Sequence, residues 1–98
     1  MKVVFRQKQL GKCYEGFEVA ARKWGPEVGR KYIQRVKVLL ATEKFGDLYR
    51  VKSLDLHPLK GTRKGRCAIT VHDRWRMELT QLDEKAIRIE EVNKHYGD

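Results

Sequence analysis

An α+β fold, with an N-terminal strand and a helical hairpin packed on one face of a small, mainly antiparallel sheet, is predicted by three features of this chain. A short β-prone run comes first, apolar residues at helical spacing fill the rest of the N-terminal half, and apolar residues in strict alternation fill the C-terminal half. Ninety-eight residues suffice for one two-layer core, so a single domain spanning 1–98 is expected. At 41% hydrophobic residues, the chain has enough apolar material to build that core.

Val3, Val4 and Phe5 form the first strand, too brief a run for a helix. Leu10, Cys13, Tyr14, Phe17, Ala20, Ala21 and Trp24 then fall three or four apart, as on one stripe of a single helix. Gly25-Pro26 ends it, because glycine suits a helix end and proline the first turn of the next helix. Val28, Tyr32, Ile33, Val36, Leu39 and Leu40 carry the second helix, completing a hairpin. Phe45 to Leu56 has no clean period and reads as a loop, with one helical turn around Leu48 to Lys52. Leu54, Leu56 and Leu59 alternate through an extended segment in which Pro58 favours an extended His57.

Gly61 and Gly65 bracket the basic loop Thr62-Arg63-Lys64. In the next strand Cys67, Ile69 and Val71 share the face toward the helices, leaving Arg66, Ala68, Thr70 and His72 on the open one. After a turn at His72-Asp73, Trp75, Met77 and Leu79 face inward while Arg74, Arg76, Glu78 and Thr80 face outward. Arg66 and Arg76 thereby share the open face. A turn at Asp83-Glu84 leads to a last strand, Ala86 to Val92, with Ile87 and Ile89 inward. On this parity the adjacent Glu90 and Glu91 point to opposite faces and form no carboxylate pair. Asn93 to Asp98 reads as a short polar tail.

Twenty-two Lys and Arg residues against 13 acids give a net charge of +9, which favours polyanionic partners such as nucleic acid or an acidic protein. Such charge supplies affinity and encounter rate but no sequence specificity. Cys13 and Cys67 have no CxxC or Cys/His spacing, so no disulfide framework and no zinc site is expected. No apolar run reaches the length of a membrane span and no signal-peptide pattern opens the chain, so the expected residence is cytoplasmic, away from membrane. There is no phosphate-binding glycine loop and no nucleophile elbow, and Ser53 is the one serine; no cofactor and no metal is implied.

The stretch from His57 to Arg76 holds Lys60, Arg63, Lys64, Arg66, Arg74 and Arg76 against Asp73 alone. It combines phosphate holders with proton carriers, the two ingredients with which RNA can be cleaved without a metal. Paired guanidinium donors suit the extra charge of a pentacoordinate phosphoryl transition state, and Arg66 and Arg76 are the candidates. A histidine or lysine can take the proton of a ribose 2′-OH and another can return one to the leaving 5′ oxygen. His57, Lys60 and His95 are the candidates for that task. Arg63, Lys64 and Arg74 add to the phosphate-gripping charge of the stretch. By parity Trp75 is a core residue, and His72 a turn residue.

The order Leu56-His57-Pro58-Leu59-Lys60-Gly61, Arg63-Lys64-Gly65 and Trp75-Arg76 resembles the RelE/ParE superfamily of bacterial toxins, within it the HigB-like branch. The likeness extends over nearly the whole chain, from the first strand to a last strand ending close to a histidine. It implies a RelE-like fold and a type II toxin neutralised by a cognate antitoxin, often of helix-turn-helix type. Such a toxin enters the ribosomal A site and cuts mRNA without a metal, giving a cyclic phosphate. Carried over by position, His57, Lys60, Arg76 and His95 are the implied catalytic residues. Many HigB-like chains end in Asp-Tyr-His; here Asn93-Lys94-His95 stands there, so Lys94 or Tyr96 can share the acid–base or RNA-binding role. Two other readings stay open: a ParE-like DNA gyrase poison, and a non-catalytic basic module that binds nucleic acid or protein.

Overall fold

A computed structural model describes residues 1–94; His95 and Tyr96, both expected in the site, lie outside the described residues. The chain runs β1 (Lys2–Phe5), α1 (Lys8–Glu15), α2 (Phe17–Trp24), α3 (Pro26–Ala41), β2 (His57–Pro58), β3 (Cys67–His72), β4 (Trp75–Asp83) and β5 (Ala86–Lys94). Five strands form one sheet in the order β1-β5-β4-β3-β2. β1 lies parallel to β5 and every other pairing is antiparallel. The helices cover one face, which is the α+β arrangement expected from the sequence.

The helix expected over Leu10 to Trp24 is two helices. Gly16 adopts an extended conformation (φ −134°, ψ 113°), and its N–H closes α1 on the Lys12 carbonyl while its own carbonyl receives Val19 and Ala20. The apolar spacing runs on through this corner, which is why periodicity alone misses it. The hairpin proper is α2 with α3. Gly25 (φ 90°) turns the chain, Pro26 starts α3, and Gly29 lets the two backbones meet. A Cβ at Gly29 would lie 2.9 Å from the Ala21 nitrogen and 3.0 Å from the Ala20 carbonyl carbon, so only glycine allows that approach.

The loop after α3 contains two 3-10 turns, Phe45–Arg50 and Lys52–Leu54, which seat Phe45, Leu48 and Leu54 in the core. Between helices and sheet lie Tyr32, Val36 and Leu39 of α3 against Ile69, Val71, Met77, Leu79, Ile87 and Ile89. Tyr32 is fully buried; its hydroxyl donates to the Leu10 carbonyl at 2.7 Å and its ring stands 4.7 Å from that of Trp24. Burial pushes its phenol well above the ordinary range, so the residue is a structural hydrogen-bond donor.

Four local details differ from the sequence reading. The β3–β4 turn is Asp73-Arg74, one residue later than expected: His72 pairs with Trp75, and Asp73 takes the left-handed conformation (φ 51°) that aspartate tolerates. A bulge between Thr70 and His72 turns His72 toward α3. There its Nε2 lies 3.0 Å from Glu27 and 3.4 Å from Asp73, and Arg35 of α3 donates to the Thr70 carbonyl beside the bulge. β5 continues through Asn93 and Lys94, which the sequence placed in a tail. Finally, Glu78 pairs with Glu91 and Leu79 with Ile89, so Glu90 is the extra residue of a bulge in β5. Glu90 and Glu91 consequently both face the open side, contrary to simple alternation.

Candidate active site

The register places the site on the open face of the sheet. Residues directly opposite each other on paired strands show their side chains on the same side. Thr70, Arg76 and Asn93 therefore form one row across β3, β4 and β5, and His57, Ala68, Glu78 and Glu91 form the next row, across β2 to β5. Thr80 and Arg88 lie one step further along.

At the centre stands Glu78, with no exposed surface. Its carboxylate is 3.1 Å from Arg66 Nη1, 3.5 Å from Arg63 Nε and 3.5 Å from Arg76 Nη2, and it accepts from Asn93 Nδ2 at 2.9 Å. Three cations and an amide around one buried carboxylate form the kind of complete network that keeps charges inside a protein. Arg76 itself is only 6% exposed and its Nε also donates to Asn93 Oδ1 at 3.3 Å. Burial, together with the charge of Arg63, draws its pKa down against the opposing pull of Glu78; a guanidinium stays charged at neutral pH all the same.

A second carboxylate anchors the adjoining region. Glu90, 2% exposed, accepts from Thr80 Oγ1 at 2.6 Å and Arg88 Nε at 2.8 Å, and lies 3.4 Å from Arg6 and 3.8 Å from Arg66. Burial alone would raise its pKa; the Thr80 and Arg88 hydrogen bonds and the charges of Arg88 and Arg66 outweigh it, so the carboxyl titrates below its ordinary value. Arg66 reaches Glu91 as well, at 3.3 Å, and Asn93 also donates to Glu91. Arg66 thus bridges all three glutamates. Burial opposes its charge, but its bonds to Glu78 and Glu91 and the charges of Glu78 and Glu90 prevail, and its pKa is raised.

Of the residues singled out from the sequence, the structure brings Arg63, Arg66 and Arg76 together on Glu78. His57 shares their face by register, two strands from β4. Its Nδ1 lies 2.9 Å from the Asp55 carbonyl; because a carbonyl only accepts, that nitrogen carries the proton and Nε2 of the neutral ring holds the lone pair. Lys60 and Lys64 are exposed on the loop that delivers Arg63. Arg74 sits in the β3–β4 turn, exposed, two residues before Arg76. Lys94 stands apart from Arg76: opposite Trp75 in register, it rests its ammonium 5.5 Å from the indole centre. With His72, Asp73 and Arg74 these two line a separate hollow of about 500 Å³.

The sequence reading passed over Glu78, Glu90, Arg6 and Arg88. Glu78 was findable, since it follows Arg76 by two on the same strand face; Glu90 was hidden by the bulge. Neither cysteine offers a thiolate at neutral pH, since burial pushes Cys67 up to about 11 and raises Cys13 too. Among the described residues no group of three His, Cys, Asp or Glu side chains is placed to hold a metal, and no helix is long and apolar enough to cross a membrane.

The fold has counterparts of known structure. YafQ from E. coli strain BL21(DE3) superposes with a TM-score of 0.61 at 17% identity, covering 95% of this chain and 91% of its own. A YoeB/ParE toxin from Agrobacterium tumefaciens gives 0.58 at 15% identity over 98% of this chain and all of its own. The YoeB-YefM complex from Staphylococcus aureus gives 0.55 at 17% identity over 98% of both chains. The likeness is one of fold, and the fold is RelE-like, as the sequence led us to expect. No protein-family model matches the chain, and no curated protein matches it in sequence.

Proposed function

We infer that this chain is the toxin of a type II toxin–antitoxin pair, of the HigB-like kind, and acts in the cytoplasm as a ribosome-dependent, metal-independent mRNA endoribonuclease. The observation that carries this reading is the cross-strand row on the open face: His57, with its Nδ1 proton committed to the Asp55 carbonyl, lies in the same row as the carboxylate that gathers Arg63, Arg66 and Arg76. A scissile phosphate over that row meets a base on one side and cations on the other. His57 Nε2 takes the proton of the ribose 2′-OH, whose oxygen attacks phosphorus. The bond to the 5′ oxygen breaks, and that oxygen receives a proton from an acid for which Lys60 and His95 are the candidates, with Lys94 and Tyr96 on either side of His95 in the chain. The products are a 2′,3′-cyclic phosphate and a 5′-hydroxyl. Arg76, held in place by Glu78 and Asn93, meets the charge that develops on the phosphoryl oxygens. Glu78 fixes the guanidinium planes in advance, so little reorganisation is needed as that charge appears.

The proposed partners are the ribosome, mRNA and a cognate antitoxin, in the HigB-like pattern one with a helix-turn-helix; the complex that YoeB forms with YefM supports a protein inhibitor. The HPLKG and WR segments support the HigB-like branch. The test is primer extension on mRNA translated in the presence of purified protein. Cuts within the reading frame, absent when ribosomes are withheld, are expected. Double-strand DNA breaks on induction with intact mRNA would instead establish a gyrase poison.

A further inference from the structure

A second cationic cleft adjoins the Glu78 centre and is not used by the chemistry above. It has a volume of about 730 Å³ and is lined by Arg6, Lys64, Arg66, Thr80, Arg88 and Glu90 together with the end of β1. Its lining carries four cations and one carboxylate. Glu90 is buried and holds Arg6, Arg66 and Arg88 within 3.8 Å, so it aims the guanidiniums at a common centre and cancels only one of their charges. Arg6 remains half exposed, Arg88 is 41% exposed, and each guanidinium has five N–H donors to share. A concave site with this surplus attracts an anion with several acceptor oxygens.

The cleft is continuous with the candidate active site, because Arg66 touches both Glu78 and Glu90. It crosses the sheet from β3 to β1, three strand spacings or roughly 14 Å, which is longer than a single phosphate needs. We propose that this cleft is a subsite for the backbone of single-stranded RNA, in which Arg6 and Arg88 hold phosphates flanking the one placed over Glu78 and His57. The identity of the polyanion rests on the nuclease reading; the charge geometry does not.

The test uses the full chain without ribosomes. Binding of a fluorescent uridine octanucleotide is followed by anisotropy over a range of salt concentrations, for the wild type, Arg6→Gln, Arg88→Gln and the charge-matched control Lys37→Gln on the exposed side of α3. Arg6→Gln and Arg88→Gln are each expected to weaken binding and to lower the slope of log K against log salt by about 0.7, one single-strand phosphate contact, with Lys37→Gln unchanged. Arg6 is half exposed, so its variant keeps the test alive should loss of Arg88 disturb folding around Glu90. A wild-type slope in folded Arg6→Gln overturns the subsite. So does unchanged RNA affinity in variants that lose the antitoxin, which would make the occupant an acidic protein segment. Protein that binds RNA through the cleft yet cuts nothing on ribosomes supports the subsite and sinks the nuclease reading, so the two fail separately.

Discussion

The helix side and the open side of this sheet are both buried, by opposite means. On the helix side Ile69, Met77, Leu79, Ile87 and Ile89 have no exposed surface and pack against Tyr32, Val36 and Leu39. On the open side, one residue along the same strands, Glu78, Glu90 and Arg76 are nearly as buried, but among ion pairs and hydrogen bonds with charged and polar side chains. The apolar layer is stabilised by area removed from water and degrades in proportion to what is removed. The ionic layer holds only while each charge keeps its partners, so loss of one member leaves the others buried without them. The first supports the fold with some tolerance; the second keeps a set of guanidiniums in fixed places with very little.

The largest effect should come from Glu78→Ala, which takes the shared buried carboxylate away from three arginines and an amide. A loss of about 3–5 kcal/mol is expected, read as a drop in the urea midpoint. A cost no larger than that of a surface substitution would show that the open side is not an ionic core, and the contrast between the faces would be broken.

Arg76→Lys comes next and separates function from stability. It retains a charge beside Glu78 but loses the planar fork, so ribosome-dependent cleavage should fall by about 10²-fold or more while the unfolding midpoint moves little. Cleavage at the wild-type rate would remove Arg76 from the chemistry.

On the apolar side Ile89→Val deletes one methylene group from a fully packed site and should cost about 0.5–1.5 kcal/mol, with cleavage unaffected. An activity loss in that variant would mean that the two faces are coupled.

The smallest effect is a pH dependence. The Glu90 carboxyl is depressed in the folded state, so its contribution to stability is complete above the ordinary carboxylate range and is lost as pH falls through the folded value, which lies below the model-peptide value near 4.3. The urea midpoint should therefore decline on acidification into that range, and Glu90→Gln should flatten the decline. An equally steep decline in that variant would assign it to other carboxylates.

How much of this was legible beforehand varied with the kind of residue. Parity placed Cys67, Ile69 and Val71, and likewise Trp75, Met77 and Leu79, on the helix side, and put Arg66 with Arg76 on the other, because alternation is a property of each strand by itself. It failed for His72 and for the pair Glu90 and Glu91, where a bulge inserts a residue and reverses the faces. Helical spacing found the α2–α3 hairpin and its Gly25-Pro26 corner, yet ran through Gly16, since a stripe interrupted by one extended glycine keeps its three-and-four rhythm. The charge count suggested an open cationic surface; in the structure several of those arginines are held by glutamates on the same face.

The sequence by itself therefore determined the order of a first strand, helices and an antiparallel meander, the α+β class, the strand faces away from the bulges and the surplus of positive charge, since all of these follow from local periodicity and composition. The tertiary structure alone decided that Glu78 and Glu90 become buried anchors, that Arg66 bridges them, and that Arg6 and Arg88 line a cleft beside the candidate active site. A bulge and an ion network are relations between strands far apart in the chain. Their register is set when the whole sheet closes against its helices, and no single strand encodes it.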